Sequence, residues 1–398
     1  MTGPAAGLGI DETPLLIMAG APVPVASPTI EVTGAAQAGL IRPFEAGDAG
    51  VVASLFMKTF RKTDEDAPPG LISFFAETFT APARDQNDSA SRVFVDADRG
   101  VTGFVGVVPT VYVVDGRPIE VAVAGSLMVE NAAANPMAGA RLLRSVATGG
   151  YAAIFSETSN AISKRMWDRT GGRAIPGYSL DFLKVLQPAG FALALAALRL
   201  PPAGLLAPPI RLLDRLAIKA IPQSAAPDPT ATDEAVGVET AADLIFALTE
   251  ARGLRPDWTP QAIATRLKSA LSKAAYGEPV LRMVRSRRSE PVGLYLYHVR
   301  ASGIAHVTHA LFRRGFGAEI VARLIADARR NGAVALKGRA EPENLDALSD
   351  AGAFFLRRSA FTVHGADEET LRHLQSGDAF VTGLAGETWM RLIGDRFD

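Results

Sequence analysis

The chain has 398 residues and a formal net charge of −1, and 48% of its residues are hydrophobic and 21% are charged. This length suits two domains, each with a sizeable core, and the absence of a basic surplus argues against a nucleic-acid partner. The chain has no cysteine, which excludes disulfides, thiolate catalysis and cysteine-based metal sites. The 5 histidines lack the spacing of a zinc hydrolase, so we predict no metal site.

The N-terminal residues 1–38 are rich in Ala, Gly, Pro and Thr, which predicts a poorly ordered leader. They lack the basic region and the uninterrupted apolar core of a secretory signal. The chain has no apolar run of about 20 residues, the length that spanning a membrane requires. We therefore expect a cytoplasmic protein.

The first half, residues 39–187, alternates helical and strand patterns. Two helical patterns follow a short strand, and three or four antiparallel strands come next, with turns at Asp98–Gly100 and Asp115–Gly116. The remaining elements are a loop and helix, a buried-looking strand at 151–158, a helix that Asn160 caps, and a last strand. This order predicts a mixed, mostly antiparallel sheet flanked by helices.

The sequence predicts a linker at residues 188–235, because four prolines, at 201, 202, 208 and 209, break this stretch into short pieces. Within it, residues 211–221 form an amphipathic helical pattern with basic residues on the polar side. Such a helix can lie weakly on an anionic membrane surface. The alternative, which we favour, is a helix packed between domains.

The second half, residues 236–398, repeats the order of the first. Two helical patterns precede three strands, and the segment 313–332 then places a basic glycine turn directly before a helix. A further strand and helix follow, and the last segment, from about residue 368, either lies across a ligand cleft or completes the second sheet. Equivalent landmarks recur at similar offsets in both halves, which indicates an internal duplication.

The glycine turn has the features of an anion site. Gly315 and Gly317 allow the backbone to approach a ligand, and the unpaired N–H groups of the first helical turn favour a phosphate. Arg313 and Arg314 would add charge-assisted contacts. A tight turn with a solvated basic face is the alternative reading of the same residues.

The order of elements resembles the Gcn5-related N-acetyltransferase (GNAT) superfamily in both halves. In the first half, Asn160, Trp167 and Gly171 keep the spacing of the family's Asn-x-x-Ala-x-x-Leu-Tyr-x-x-x-Gly segment, and Asn344 echoes that segment in the second. The family's pyrophosphate loop, Arg/Gln-x-x-Gly-x-Gly/Ala, aligns twice. The cofactor-binding residues that the resemblance implies are Ala138, Gly139, Ala140 and Asn160 in the first half, and Arg313, Arg314, Gly315, Phe316, Gly317, Ala318 and Asn344 in the second.

The resemblance implies that an amine attacks the carbonyl of an acyl-CoA thioester, while splayed strands hold the acyl group and a base takes the proton. Candidate bases are Glu130 and Glu157 at strand ends and His309, whose unperturbed pKa of about 6.5 suits this role. Tyr297 could line the cleft or its rim. Glu130 has the alternative reading of a solvated strand end. Trp167 stands where the family often has a tyrosine, and an indole cannot act as an acid near neutral pH.

We therefore predict an α/β protein of two tandem GNAT-like domains, at 39–187 and 236–398. It would move an acetyl or other acyl group from coenzyme A to a small amine acceptor. The better glycine turn leads us to expect acyl-CoA in the second half. A non-catalytic acyl-CoA sensor or scaffold is the alternative, and an aminoacyl-transferring relative that uses aminoacyl-tRNA is a third possibility.

Overall fold

The structure, a computed structural model, describes residues 39–83, 88–132, 135–199 and 231–397. The predicted leader at 1–38 and the predicted amphipathic helix at 211–221 lie outside the described residues. The chain divides into two compact units. Unit 1 comprises residues 1–108, 126–149 and 397–398, and unit 2 comprises 109–125 and 150–396.

Unit 1 packs its elements around an aromatic core. These elements are the strands β1 (Leu40–Pro43) and β2 (Arg92–Asp96) and the helices α1 (Ala49–Phe56), α2 (Pro69–Phe79) and α3 (Ala138–Ala147). The rings of Phe44, Phe75 and Phe79 meet the ring of Phe104 edge-on, with centroids 5.3–5.6 Å apart. Such T-shaped pairs add to the stabilisation that burial gives.

Two long strands, β3 (Gly100–Val114) and β4 (Arg117–Val129), form a hairpin and contribute residues to both units. The turn between them has positive φ at Asp115 and Gly116. That geometry is typical of the two-residue hairpin turn, and it confirms the turn predicted at these residues.

Unit 2 contains parts of two sheets. In the first, β4 pairs with β5 (Ala153–Ser159), β5 with β15 (Ala360–His364), and β15 with β6 (Arg173–Ala174), while β9 (Leu254–Pro256) pairs with β3. The second sheet has the order β14-β7-β13-β12-β11-β10-β8. Its strands are β7 (Leu180–Val185), β8 (Thr232–Ala235), β10 (Glu278–Arg285), β11 (Pro291–Val299), β12 (Ile304–Phe312), β13 (Ala335–Ala340) and β14 (Phe354–Leu356).

Helices flank both sheets of unit 2. They are α4 (Ala161–Arg169), α5 (Pro188–Arg199), α6 (Val238–Thr249), α7 (Pro260–Leu271), α8 (Gly317–Arg330), α9 (Leu345–Asp350) and α10 (Glu368–Ser376). The helix α8 packs an apolar face, which includes Ile320, Val321 and Leu324, into the core of the second sheet. Among the helices that the structure describes, none combines the length and apolar character that crossing a bilayer requires.

Two strands cross between the halves of the sequence. β7, from the first half, pairs antiparallel with β13 and β14 in the second sheet. β15, from the second half, pairs with β5 and β6 in the first sheet. Hydrogen-bond partners depend on the tertiary structure, so periodicity does not reveal this exchange. The division at 187 and 236 therefore stays a prediction about the repeat, and it differs from the two compact units.

Candidate functional site

A carboxyl group lies where the first parallel strand pair separates. The pairing of β4 with β5 joins Val121–Val123 to Ala153–Phe155 and ends there. Beyond it, the side chain of Glu387 contacts Gly125 of β4, where a Cβ would lie 2.7 Å from Glu387 Oε2. Glycine at this position leaves the space that the carboxyl group fills. We call this place the first opening.

The strand β5 supplies the donors for Glu387. Oε1 accepts hydrogen bonds from the Ser156 hydroxyl at 3.0 Å and from the N–H groups of Glu157 and Thr158 at 2.5 and 3.3 Å, and Oε2 accepts from the Thr158 hydroxyl at 2.8 Å. The two N–H groups are available because the register between β5 and β15 shifts at this point. A β-bulge of this kind leaves backbone groups outside the ladder.

A second carboxylate, that of Glu157, makes the reciprocal contacts. Its Oε1 accepts from the Gly383 N–H at 3.0 Å and the Thr388 hydroxyl at 2.8 Å. Its Oε2 accepts from the N–H groups of Glu387 and Thr388 at 2.7 and 3.1 Å. Glu157 thus holds the irregular segment of residues 379–396, which we call the C-terminal segment, against β5.

Burial controls the electrostatics of the first opening. Glu387 is 5% exposed, and desolvation together with the charge of Glu157 raises its pKa to about 7. Lys273 is also buried and donates its ammonium to the Thr388 carbonyl. Burial lowers the pKa of Lys273 to about 8. Titratable groups with perturbed pKa values cluster at functional sites, so this cluster is the candidate site.

The second parallel pair, β12 with β13, separates after Val307 and Gly338. The space there, the second opening, has room for no more than about one water molecule. His309 Nε2 accepts the Leu384 N–H at 2.7 Å, and His309 Nδ1 lies 3.8 Å from Glu341 Oε1 without a hydrogen bond. Burial lowers the pKa of His309 to about 4, below the unperturbed value that suits a general base, and the catalytic role of His309 stays a prediction.

The glycine turn before α8 forms as predicted. Gly315 has a φ of 91° and faces open space, and Arg313 and Arg314 are exposed. Glu319, however, lies in the first turn of α8 and pairs with Arg323. An acidic residue at this place repels an anion that the helix start would otherwise attract.

The predicted loop before α3 belongs to unit 1. Ala138 and Gly139 are buried at the start of α3, and Ala140 is half-buried. The first turn of α3 contains no acidic residue. In this respect the start of α3 differs from the start of α8.

No protein-family sequence model matches the chain, and no curated protein matches it. Among solved structures, the GNAT of Anabaena variabilis ATCC 29413 superposes with a TM-score of 0.54 and 8% identity, over 82% of this chain and 72% of that one. A protein of Enterococcus faecalis V583, named as a probable N-acyltransferase, superposes with a TM-score of 0.51 and 8% identity, over 82% of this chain and 72% of that one. The GNAT of Kribbella flavida superposes with a TM-score of 0.50 and 12% identity, over 82% of this chain and 71% of that one. The chain has the GNAT fold.

The fold confirms the predicted α/β architecture of two mixed sheets flanked by helices. The two asparagines of the GNAT segment differ in their local role, because Asn160 caps the helix that follows it and the side chain of Asn344 makes no cap hydrogen bond. Asn160 Oδ1 accepts the N–H groups at 162 and 163 at the start of α4, and the buried Asn344 accepts the N–H of Glu341. Trp167 of the same segment is buried. The cofactor-binding roles predicted for these asparagines stay predictions.

Two predicted catalytic residues lie away from the openings. Glu130 follows β4 and pairs with Lys58 at 3.3 Å, with both side chains well exposed. Tyr297 is fully buried and donates its hydroxyl to Asp327 at 2.6 Å, and burial raises the pKa of its hydroxyl. Their catalytic roles stay predictions, and neither environment favours them. Within the described ranges, no His, Asp and Glu side chains group in a way that would hold a metal ion.

The sequence analysis missed Glu387 and Gly125. Glu387 belongs to an irregular segment without helical or strand periodicity, so no pattern singled it out. The only signal was the expectation that the last segment lies either across a cleft or in the second sheet. The hydrogen bonds of the C-terminal segment to Glu157 and His309 agree with the first of these alternatives.

Proposed function

We propose that the chain transfers an acyl group from acyl-CoA to an amine acceptor, and that the chemistry takes place at the first opening. The GNAT fold supports acyl-CoA as the donor, since the solved relatives include N-acetyltransferases by name. One observation carries the choice of place. A buried carboxyl group whose pKa lies near 7 occupies the point where β4 and β5 part.

The proposed step needs one base. The amine nitrogen attacks the thioester carbonyl carbon, the C–N bond forms, the C–S bond breaks, and coenzyme A leaves as the thiolate. The amine proton must go to an acceptor. Among the described residues, Glu387 Oε2 accepts the Thr158 hydroxyl alone, which leaves a lone pair for that proton. A pKa near the working pH makes a carboxylate an efficient base, directly or through one water.

The second half fits the role of a scaffold better than that of a donor site. The C-terminal segment bonds directly to His309 at the second opening, where the structure leaves space for no more than about one water molecule. Glu319 opposes a diphosphate at the start of α8. The proposal therefore departs from the expectation that the second half holds acyl-CoA.

One observation favours the alternative function, an acyl-CoA sensor or scaffold. The GNAT segment has Trp167 in place of a tyrosine, and this indole is buried, so it cannot protonate a leaving thiolate near neutral pH. Thiol release from acetyl-CoA with a panel of amines separates the two functions. Amine-dependent release supports the transferase, and tight binding without release supports the sensor.

A matched pair of variants tests which predicted phosphate loop binds coenzyme A. Ala140→Asp and Ala318→Asp each add a carboxylate to the first turn of a helix, a position that the helix dipole tolerates. We expect Ala140→Asp to weaken coenzyme A binding about tenfold or more, and Ala318→Asp to change it less than about twofold. Calorimetry measures the dissociation constant of coenzyme A for each variant. A larger loss in Ala318→Asp than in Ala140→Asp would indicate that the second half binds coenzyme A. If the wild-type protein binds no coenzyme A, the proposed function is rejected.

A further inference from the structure

A guanidinium group lies between two indole rings in unit 2. Arg266 Cζ is 4.2 Å from the ring centroid of Trp258 and 4.8 Å from that of Trp389. Arg266 belongs to α7, Trp258 precedes that helix, and Trp389 belongs to the C-terminal segment. Three separate parts of the chain thus build one stacked cation, and stacking of this kind fixes the guanidinium plane.

Within the part of the chain that the structure describes, this guanidinium lacks an acidic partner. Among the described residues, Arg266 makes no ion pair, and its Nε is buried without a hydrogen-bond partner. Two other arginines of unit 2 are paired, Arg323 with Asp233 at 2.8 Å and Arg339 with Asp181 at 3.3 Å. Arg329, like Arg266, has a buried Nε without a hydrogen-bond partner, so the two indole rings, and not the unpaired Nε alone, set Arg266 apart. Burial lowers the pKa of Arg266 to about 10, so the group remains charged at neutral pH. A buried donor without a partner is uncommon in native proteins and calls for an explanation, of which a bound anion is one.

The stack is partly exposed and shares the C-terminal segment with Glu387. Arg266, Trp258 and Trp389 are all half-buried, so none of them is sealed in the core. Trp389 follows Glu387 by two positions in the same segment. Tyr112 donates its hydroxyl to the Ala385 carbonyl at 2.9 Å. The charge of Arg266 lowers the pKa of Tyr112 and the charge of Glu157 raises it. A positive group and two carboxyl groups therefore flank one stretch of the C-terminal segment.

Resting on the proposed function, we propose that Arg266 binds a carboxylate of the acceptor, so that the substrates are amines that also carry a carboxylate, such as free amino acids. The planar fork of a guanidinium matches a carboxylate bidentately. The indole faces hold that fork in place, which lowers the entropic cost of binding. The ammonium end of such an acceptor carries the charge that complements Glu387 and Glu157.

Matched pairs of an amino acid and its amide test this assignment. We expect the wild-type protein to acylate the acid with a kcat/KM at least about tenfold above that of the amide, and Arg266→Gln to remove this preference. Arg266→Lys keeps the charge without the fork and should leave a smaller preference. Arg300→Gln, a change of an exposed arginine between β11 and β12, should leave the preference intact.

The outcomes separate the two proposals. Equal use of acid and amide by the wild type, or a preference that survives in Arg266→Gln, overturns the assignment of Arg266 and leaves the transferase standing. If no amine is acylated, the proposed function fails. Tryptophan fluorescence then tests, without any activity, whether Arg266 binds the amino acid. Titration with the amino acids should change the emission of the wild type and not that of Arg266→Gln. Identical titrations of both proteins would overturn the site.

Discussion

Replacement of Glu387 by glutamine is expected to lower kcat/KM for amine acylation by about 10²- to 10⁴-fold, the usual contribution of a general base. Glutamine keeps the shape of the side chain. Its amide oxygen can accept the three donors that now meet Oε1, and its NH₂ group can donate to the Thr158 hydroxyl. The protein should therefore fold normally and lack only the proton acceptor.

The pH dependence gives this variant a second readout. The base must be deprotonated, and the pKa of Glu387 is raised to about 7, so kcat/KM of the wild type should rise as the pH rises through about 7. Glu387→Gln should lose that rise. Glu341→Gln is the matched control, because Glu341 is also buried with a raised pKa but lies at the second opening. Wild-type kinetics in Glu387→Gln, or an equal loss in Glu341→Gln, would contradict the assignment.

The second large effect is expected on the free energy of unfolding, when Glu157 is replaced. Glu157→Gln should lower the free energy of unfolding by about 1–3 kcal/mol, the cost of leaving a buried donor unsatisfied. Each oxygen of Glu157 accepts two hydrogen bonds. In either orientation, the glutamine NH₂ group faces at least one N–H of the C-terminal segment, that of Gly383 or those of Glu387 and Thr388. Isosteric replacement is thus tolerated at 387 and not at 157.

Urea denaturation measures this difference, with Glu130→Gln as the control. Glu130 is an exposed strand-end carboxylate with one ion pair, so its replacement should change the free energy of unfolding by no more than about 0.5 kcal/mol. If both variants unfold at the same urea concentration as the wild type, Glu157 does not hold the C-terminal segment.

Local chemistry made part of the fold predictable. Asp115–Gly116 specifies a hairpin turn through positive φ, and Asn160 accepts N–H groups of the helix start that it caps. These signals depend on neighbouring residues only. The sequence order of strands and helices then indicated the GNAT fold.

Tertiary pairing made the remainder unpredictable. No local pattern shows that β7 and β15 exchange sheets, because each strand has the composition that either sheet would accept. The same limit applies to the site. The glycine turn at Gly315 is well formed, yet the second opening is lined in part by a side chain distant in sequence, Phe182, and the C-terminal segment bonds there to His309. Glu387 reaches the first opening from the far end of the chain, so its position depends on contacts that sequence periodicity does not encode.

A crystal structure of the chain with bound acetyl-CoA tests the central claim most directly. The account predicts that the thioester lies at the first opening, beside Glu387 and the end of the pairing between Val123 and Phe155. A thioester bound between β12 and β13, with His309 and Glu341 displaced to make room, would contradict it.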